Sequence, residues 1–399
     1  MRQRIVVVGS SFAGYTAALE LRRKLGDAHP ITVIAKSDVF LFMPSLIWVP
    51  FGLRERAQIS FPLAPVFKKK GVAFRHAAVT AIRPDQRRVD FEGGSEPYDY
   101  LVVATGPKNH YGAIPGLGPE TGHTQSIFGW EDAQRARLAY RAFLEKPGPV
   151  VIGAAQGASC FGAAYEFLLN FAHQRNKAGL AKRAPLTLLT SEPFAGHFGM
   201  GGFGNARPLL ARFFEKLGIE VVANAAIEKV APGEIQLAGG RALPFAYAMI
   251  APPFQAVDAV RACGDLTVKP AGWVEVDDQY RHRVHREVFA AGVTVYFPPP
   301  QPTPVPTGVP KTGYMSEEMG RIVAHNIVAD LRGEPPVSLP PAAIDAKCVL
   351  DAGNTGVIMS ADRMLEPRKH AWLVPGPEAH WAKLAFEKYF LATRRRGRA

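Results

Sequence analysis

Cysteine is nearly absent from this chain: there are three in 399 residues, Cys160, Cys263 and Cys348. An odd number of widely spaced thiols excludes a disulfide-stapled scaffold and leaves reactive or buried thiols. Cys-x-x-Cys and His-Glu-x-x-His spacings are missing too, so no metal is expected. No run approaches the roughly 18–20 apolar residues that cross a bilayer. Arg2 and Arg4 lead straight into Ile5–Val8, too short for a secretory apolar region and without a cleavage site, so no signal peptide is expected. Acidic residues are outnumbered 35 to 47, for a net charge of +12. The basic residues are dispersed, apart from Arg394-Arg395-Arg396-Gly397-Arg398. No nucleic-acid-binding signature accompanies them, so nucleic acid is not an expected partner. A solubilising surface suffices for most of these charges, with an anionic membrane surface or an anionic substrate as the alternative.

What is present is a phosphate-binding turn. The apolar run Ile5–Val8 is followed by Gly9-Ser10-Ser11-Phe12-Ala13-Gly14 and then by a helical pattern through Leu25 and a strand at Ile31–Ile34. This is a βαβ unit in which small residues let the backbone approach a pyrophosphate at a helix N-terminus. Ser11 replaces the middle glycine of the fingerprint, and Ala35-Lys36-Ser37 stands where a ribose-binding acid is usual. A second strand, Tyr98 to Val103, ends in Ala104-Thr105-Gly106. The two motifs together point to a flavin-binding α/β domain.

A second Rossmann-like unit starts at Val150-Val151-Ile152, turns through Gly153-Ala-Ala-Gln-Gly157-Ala-Ser-Cys160 and continues into a helix with Tyr165 and Glu166. Its next strand, Leu186–Leu189, runs into Thr190-Ser191-Glu192. Glu192 stands where a carboxylate can reach a ribose, although nicotinamide binding is not the favoured reading. Glu287 to Gly292 reads as the strand returning to the first domain, with Val293 where an aspartate is common. Phe297 to Pro310 holds seven prolines and must be extended and stiff, either as a buried substrate-shaping loop or as an exposed linker. Lys311 then opens a helix through about Leu331. In the last segment Trp381, Phe386, Tyr389 and Phe390 are apolar, while Lys383, Glu387 and Arg394 fall on another side of the helix. Such a helix either lies on an anionic membrane or packs on the body.

The fold expected is α/β: two Rossmann-like domains and a short C-terminal helical segment. The expected boundaries are 1–108 and 287–345 for the flavin domain, 109–286 for the second domain and 346–399 for the C-terminal segment.

With these motifs in hand, the chain resembles the sulfide:quinone oxidoreductases, flavoproteins with two dinucleotide-binding domains. The resemblance is most specific in Gly157-Ala-Ser-Cys160-Phe-Gly-Ala-Ala-Tyr165-Glu166, Ser191-Glu192-Pro193-Phe194-Ala-Gly-His197, Thr303 to Met315, and Ala385-Phe386-Glu387-Lys388-Tyr389-Phe390. It implies FAD, with Gly9, Ser11, Phe12, Ala13, Gly14, Thr105, Gly106, Gly292 and Lys311 at the cofactor. It implies that Cys160 and Cys348 are the sulfur-cycling pair, Glu166 the acid-base residue and His197 a proton-handling residue. Phe386 and Phe390 resemble part of a quinone pocket. The implied partners are sulfide and a ubiquinone- or menaquinone-type quinone. The implied setting is peripheral, on a bacterial inner membrane, with the face left open and a homo-oligomer allowed.

Three departures from the family pattern bear on this. Phe128 stands where many members carry a third cysteine, and Asp132 where a histidine is frequent. Val349 follows Cys348 in place of an aromatic, and the chain ends soon after Phe390 where many relatives continue. Hydrosulfide can open a Cys160–Cys348 bridge by exchange. A helix N-terminus at Cys160 is expected to lower that thiol's pKa. Three alternatives stay open: a sulfide dehydrogenase with a cytochrome acceptor, an NADH:quinone oxidoreductase, and a non-catalytic flavin-binding sulfide sensor. Cys263 reads as incidental.

Overall fold

The run Ile5-Val6-Val7-Val8 is β-branched throughout and buried on both faces, which suits the middle of a parallel sheet. The computed structural model describes residues 2–268 and 270–399. Ile5–Val8 forms β1, followed by α1 (Phe12–Leu25), β2 (Ile31–Ala35), β3 (Ala73–His76) and β4 (Tyr100–Val103). The turn from β1 to α1 requires glycine. Gly9 has φ +104°, and a Cβ there would lie 2.1 Å from the carbonyl oxygen of Ala104.

A second set of elements follows: β5 (Val150–Ala154), α2 (Phe161–Lys177), β6 (Leu186–Thr190), β7 (Ile219–Val222) and β8 (Tyr247–Ala251). These strands make a four-stranded sheet in the order β7-β6-β5-β8, parallel throughout. The chain then returns to the first sheet with β9 (Val288–Ala290). Its completed order is β9-β4-β1-β2-β3, again all parallel, with Val103 paired to both Val8 and Ala290. The α/β architecture is therefore two parallel sheets, each with a glycine turn at the carboxyl end of its central strand.

Helix α3 (Gly313–Arg332) lies against α1; a Cβ at Gly320 would meet the Ala13 carbonyl oxygen at 2.6 Å. On α3, Met315, Met319 and Val323 are buried and Ile322 is half-buried. The C-terminal segment is more than helical. Strands β10 (Ala346–Asp351), β11 (Gly356–Ala361) and β12 (Ala371–Pro375) form an antiparallel sheet, and α4 (Pro377–Arg395) packs on it. That sheet was not legible because β10 mixes exposed with buried positions and β12 has no buried one.

The face α4 turns inward is the reverse of the usual arrangement. Lys383, Glu387, Phe390 and Arg394 are all buried, while Trp381, Phe386 and Tyr389 are exposed. The charges are tolerated because each is paired. Lys383 bonds Glu166 of α2, Glu387 bonds Arg54 at 3.0 Å, and Arg394 bonds Glu317 of α3 at 2.8 Å. Phe390 therefore shares the charged stripe instead of lying opposite it.

Candidate active site

Cys160 is the residue immediately before α2, and Cys348 is on β10. The fold clamps these two elements together. Asn170 of α2 donates to the Asp351 carbonyl at 2.8 Å, and the Asp351 N–H donates to Glu166 Oε1 at 2.9 Å. The two thiols are close enough for charge on Cys348 to oppose ionisation of Cys160. Both are free thiols, and Cys348 is the more exposed.

The expected lowering of the Cys160 pKa is corrected by its surroundings. Burial, and then Cys348, push the Cys160 thiol up to about 12. One helix end is worth less than the loss of hydration that a buried thiolate suffers. Cys348 is exposed to solvent. The protein packed about its sulfur still raises its thiol pKa, Lys383 pulls it down, and Glu166 raises it. Two thiolates side by side are thus disfavoured.

Glu166 lies on α2, buried, with its carboxylate 3.0 Å from Lys383 Nζ. Burial raises its pKa above the ordinary carboxylate value despite the lysine. Lys383 also donates to the carbonyl of Val349, next to Cys348, at 3.2 Å. Beyond this pair, the Asp351 carboxylate accepts from Trp48 Nε1 at 2.9 Å and meets His380 Nδ1 at 2.7 Å. Lys383, Asp351, His380 and Trp48 were not singled out as site residues from the sequence. One signal was available: 383, 387, 390 and 394 fall at i, i+4, i+7 and i+11, one face of a helix.

His197 is half-buried, and burial lowers its pKa. Its Nδ1 accepts the Gly199 N–H at 3.2 Å. Its loop packs between the Cys160 turn and the end of the proline-rich stretch: a Cβ at Gly199 would lie 2.0 Å from the Gly308 carbonyl oxygen. Gly157 N–H donates to the Pro306 carbonyl at 2.7 Å, and Gly308 N–H to the Ala158 carbonyl at 2.8 Å. The first half of the proline stretch is thus exposed and the second half is docked on the cysteine turn.

Glu192 is fully buried and already occupied. Its carboxylate accepts from Tyr165 Oη at 2.6 Å, Thr190 Oγ1 at 2.7 Å and the Phe198 N–H at 2.6 Å. It therefore has no free oxygen facing a ribose. Burial pushes its pKa up to about 7 from an ordinary 4.5. The folded chain holds this proton more tightly than the unfolded chain does. Stability from this group therefore falls as pH rises from about 4.5 to about 7. Glu192→Gln keeps an acceptor for Phe198 and is expected to remove roughly 3 kcal/mol of that decline. Urea denaturation midpoints measured across this pH range check it; an unchanged slope would count against the assignment.

Phe128 and Asp132 fill the region of the missing third cysteine. Phe128 packs on Phe254 with ring centroids 5.6 Å apart, and Asp132 accepts hydrogen bonds from Tyr111 and Asn109.

At the first sheet, the residues read as cofactor-binding gather at the carboxyl ends of β1, β4 and β9. Ser11 precedes α1, so the N–H groups of Phe12, Ala13 and Gly14 lack acceptors within the helix. Thr105 Oγ1 lies 3.4 Å from Thr294 Oγ1, beside the Gly106 turn. A small cavity between Gly292, Lys311, Thr312, Met315 and Ser316 opens at the N-terminus of α3. Lys311 Nζ donates to Val293 and Val295 carbonyls at 3.0 and 2.9 Å and lies 3.8 Å above the Trp273 ring; burial lowers its pKa to about 7. Two helix N-termini, a turn of small residues at Gly9 and the Lys311 amine beside Gly292 fit a flavin dinucleotide, whose phosphates are anionic. Phe12 also touches an aromatic track: its ring is 5.5 Å from Phe390, Phe390 is 4.7 Å from Phe42, and Phe386 is 5.8 Å from Phe390. Phe390 is buried and Phe386 half-exposed.

Tandem parallel sheets with these turns define a flavoprotein oxidoreductase with two dinucleotide-binding folds, and residues 3–319 match the pyridine nucleotide-disulphide oxidoreductase family. FAD is its cofactor. Within that class the chain belongs to the sulfide:quinone oxidoreductases. It is 38% identical over 403 residues to the sulfide-quinone reductase of Aquifex aeolicus (strain VF5), covering 100% of this chain and 92% of the relative. The X-ray structure of the sulfide:quinone oxidoreductase from Aquifex aeolicus superposes with a TM-score of 0.94 at 36% identity, covering 99% of this chain and 92% of that one. An NADH dehydrogenase-like protein of Mycobacterium tuberculosis is 28% identical over 89% of this chain and 87% of its own length.

Proposed function

We propose that this enzyme oxidises sulfide through Cys160 and Cys348 and delivers the electrons, by way of FAD, to quinone. The observation that carries this reading is the clamp of α2 on β10, which holds two thiols remote in sequence in one electrostatic environment. Hydrosulfide attacks one sulfur of a Cys160–Cys348 bridge: one S–S bond forms, the bridge breaks, and a persulfide and a thiolate remain. When the thiolate rejoins the persulfide with one sulfur inserted, two electrons and one proton are released. FAD, when bound, accepts the electron pair and passes it on to quinone. Glu166 is the group placed to take the proton, because burial favours its neutral form. Lys311 places its amine near the flavin-binding turn, and the His197 loop covers the Cys160 turn.

The Phe12–Phe390–Phe386 track supports quinone entry beside α4, since it links the first turn of α1 to the surface. Occupation of the Glu192 carboxylate argues against NADH as the donor. Among the described residues no helix is long and apolar enough to cross a membrane. The outward aromatics Trp381 (68% exposed), Tyr389 (69%) and Trp372 (64%) support a peripheral seat on a membrane, with Lys388 and Arg395 beside them. A bacterial inner membrane provides the quinone and the anionic lipid for this seat.

Anaerobic titration tests the function. Sulfide should bleach the flavin band near about 450 nm, a short-chain quinone should restore it, and NADH should leave it unchanged. Bleaching by NADH alone, or recovery only with a cytochrome, overturns the reading. Separately, Trp381→Ser with Tyr389→Ser should lower co-flotation with anionic vesicles by about tenfold and leave bleaching by sulfide intact. Equal flotation would remove this face from the membrane model.

A further inference from the structure

Of the three buried charges on α4, only Lys383 reaches the sulfur site. Its ammonium is tied to Glu166 at 3.0 Å and to the Val349 carbonyl at 3.2 Å. Glu166 in turn holds the Asp351 N–H. The strand that carries Cys348 is therefore gripped just beyond its thiol at two backbone positions, from two helices. Around Lys383 the titratable groups are Glu166 on α2, Cys160 before it, Cys348 and Asp351 on β10, and His380 one turn earlier on α4. His173 of α2 faces Asp351. Among these groups Asp351 is already engaged by Trp48 and His380.

We propose that Lys383 is a positioning residue that acts as the counter-ion of Cys348, balancing the negative charge of its thiolate or persulfide. The proposal rests on the reading of Cys160 and Cys348 as the sulfur pair. Charge bookkeeping explains why the pair with Glu166 matters. With the Cys348 thiol neutral, the ammonium faces the Glu166 carboxylate. When the thiol proton moves to Glu166, the carboxylate becomes a neutral acid and the ammonium faces the Cys348 sulfur anion. One cation faces one anion before and after, so buried Lys383 is never left without a counter-charge. The direction of the coupling agrees: Lys383 favours the Cys348 anion and Glu166 opposes it.

The test reads thiol chemistry and does not depend on sulfide turnover. Holoprotein with its thiols kept reduced is treated anaerobically with iodoacetamide, and mass spectrometry follows alkylation at Cys348 and Cys160 separately across neutral to alkaline pH. Lys383→Met should slow alkylation of Cys348 by about tenfold at a fixed pH, the change from one pKa unit. Lys383→Arg should restore most of the rate. Glu166→Gln should speed it, because the ammonium is then released to the sulfur. A packing role alone would move both variants the same way. An unchanged rate in folded Lys383→Met, or slowing in Glu166→Gln, overturns the proposal; if Lys383→Met does not fold, Glu166→Gln decides alone. Sulfide bleaching of the parent is run in parallel. Its failure beside intact opposite shifts overturns the function and keeps the counter-ion. Normal bleaching without those shifts does the reverse.

Discussion

Cys160→Ser and Cys348→Ser each retain FAD and lose sulfide-driven flavin reduction by about 10³-fold or more. In the proposed cycle each sulfur serves twice. It is one half of the bridge that hydrosulfide opens, and one half of the bridge whose re-closure releases the electron pair. A hydroxyl does neither. The proposed flavin site, at the turns of Gly9 and Gly292 and at Lys311, lies apart from the thiols, so bound flavin at wild-type stoichiometry is the internal control. Cys263→Ser supplies a second control, because that thiol lies among Leu266 and Asp265, outside the clamp of α2 on β10. Stopped-flow absorbance with anaerobic sulfide measures the loss. Normal reduction in either site variant removes the pair from the mechanism.

Arg394→Leu lowers stability by about 3 kcal/mol, since it leaves buried Glu317 only Arg321 at 3.7 Å, beyond hydrogen-bond reach, as its cation. The guanidinium meets both oxygens of that carboxylate, at 2.8 and 2.9 Å, and lies 4.6 Å from the Phe390 ring centre. Its own carbonyl also accepts from Tyr15. One residue thus ties α4 to α3 and α1. The double variant Arg394→Leu with Glu317→Leu should recover most of the loss, because the penalty belongs to the unpaired charge more than to the missing bond. Urea denaturation of the holoproteins measures both. A double variant as unstable as the single one would mean that packing of α4, and not ionic pairing, sets the cost.

These expectations separate what local pattern can tell from what it cannot. The β-branched runs at Ile5–Val8 and Val150–Ile152, each followed by a glycine turn and a helix, announced two parallel sheets, because both signals are short-range. The thiols at 160 and 348 were noticeable by scarcity. The C-terminal sheet was invisible, since β10 lacks the continuous apolar run or regular alternation that marks a strand.

The amino-acid order alone determined the two glycine turns, the strands that feed them and the presence of two candidate redox thiols, because steric and hydrophobic preferences act over a few residues. Only the tertiary structure decided that α4 turns its charges inward, that Lys383 meets Glu166 beside Cys348, that Glu192 is already bonded, and that Cys160 is a weak acid. Each of these depends on which groups are desolvated together, and Lys383, Glu166 and the two thiols come from parts of the chain about two hundred residues apart.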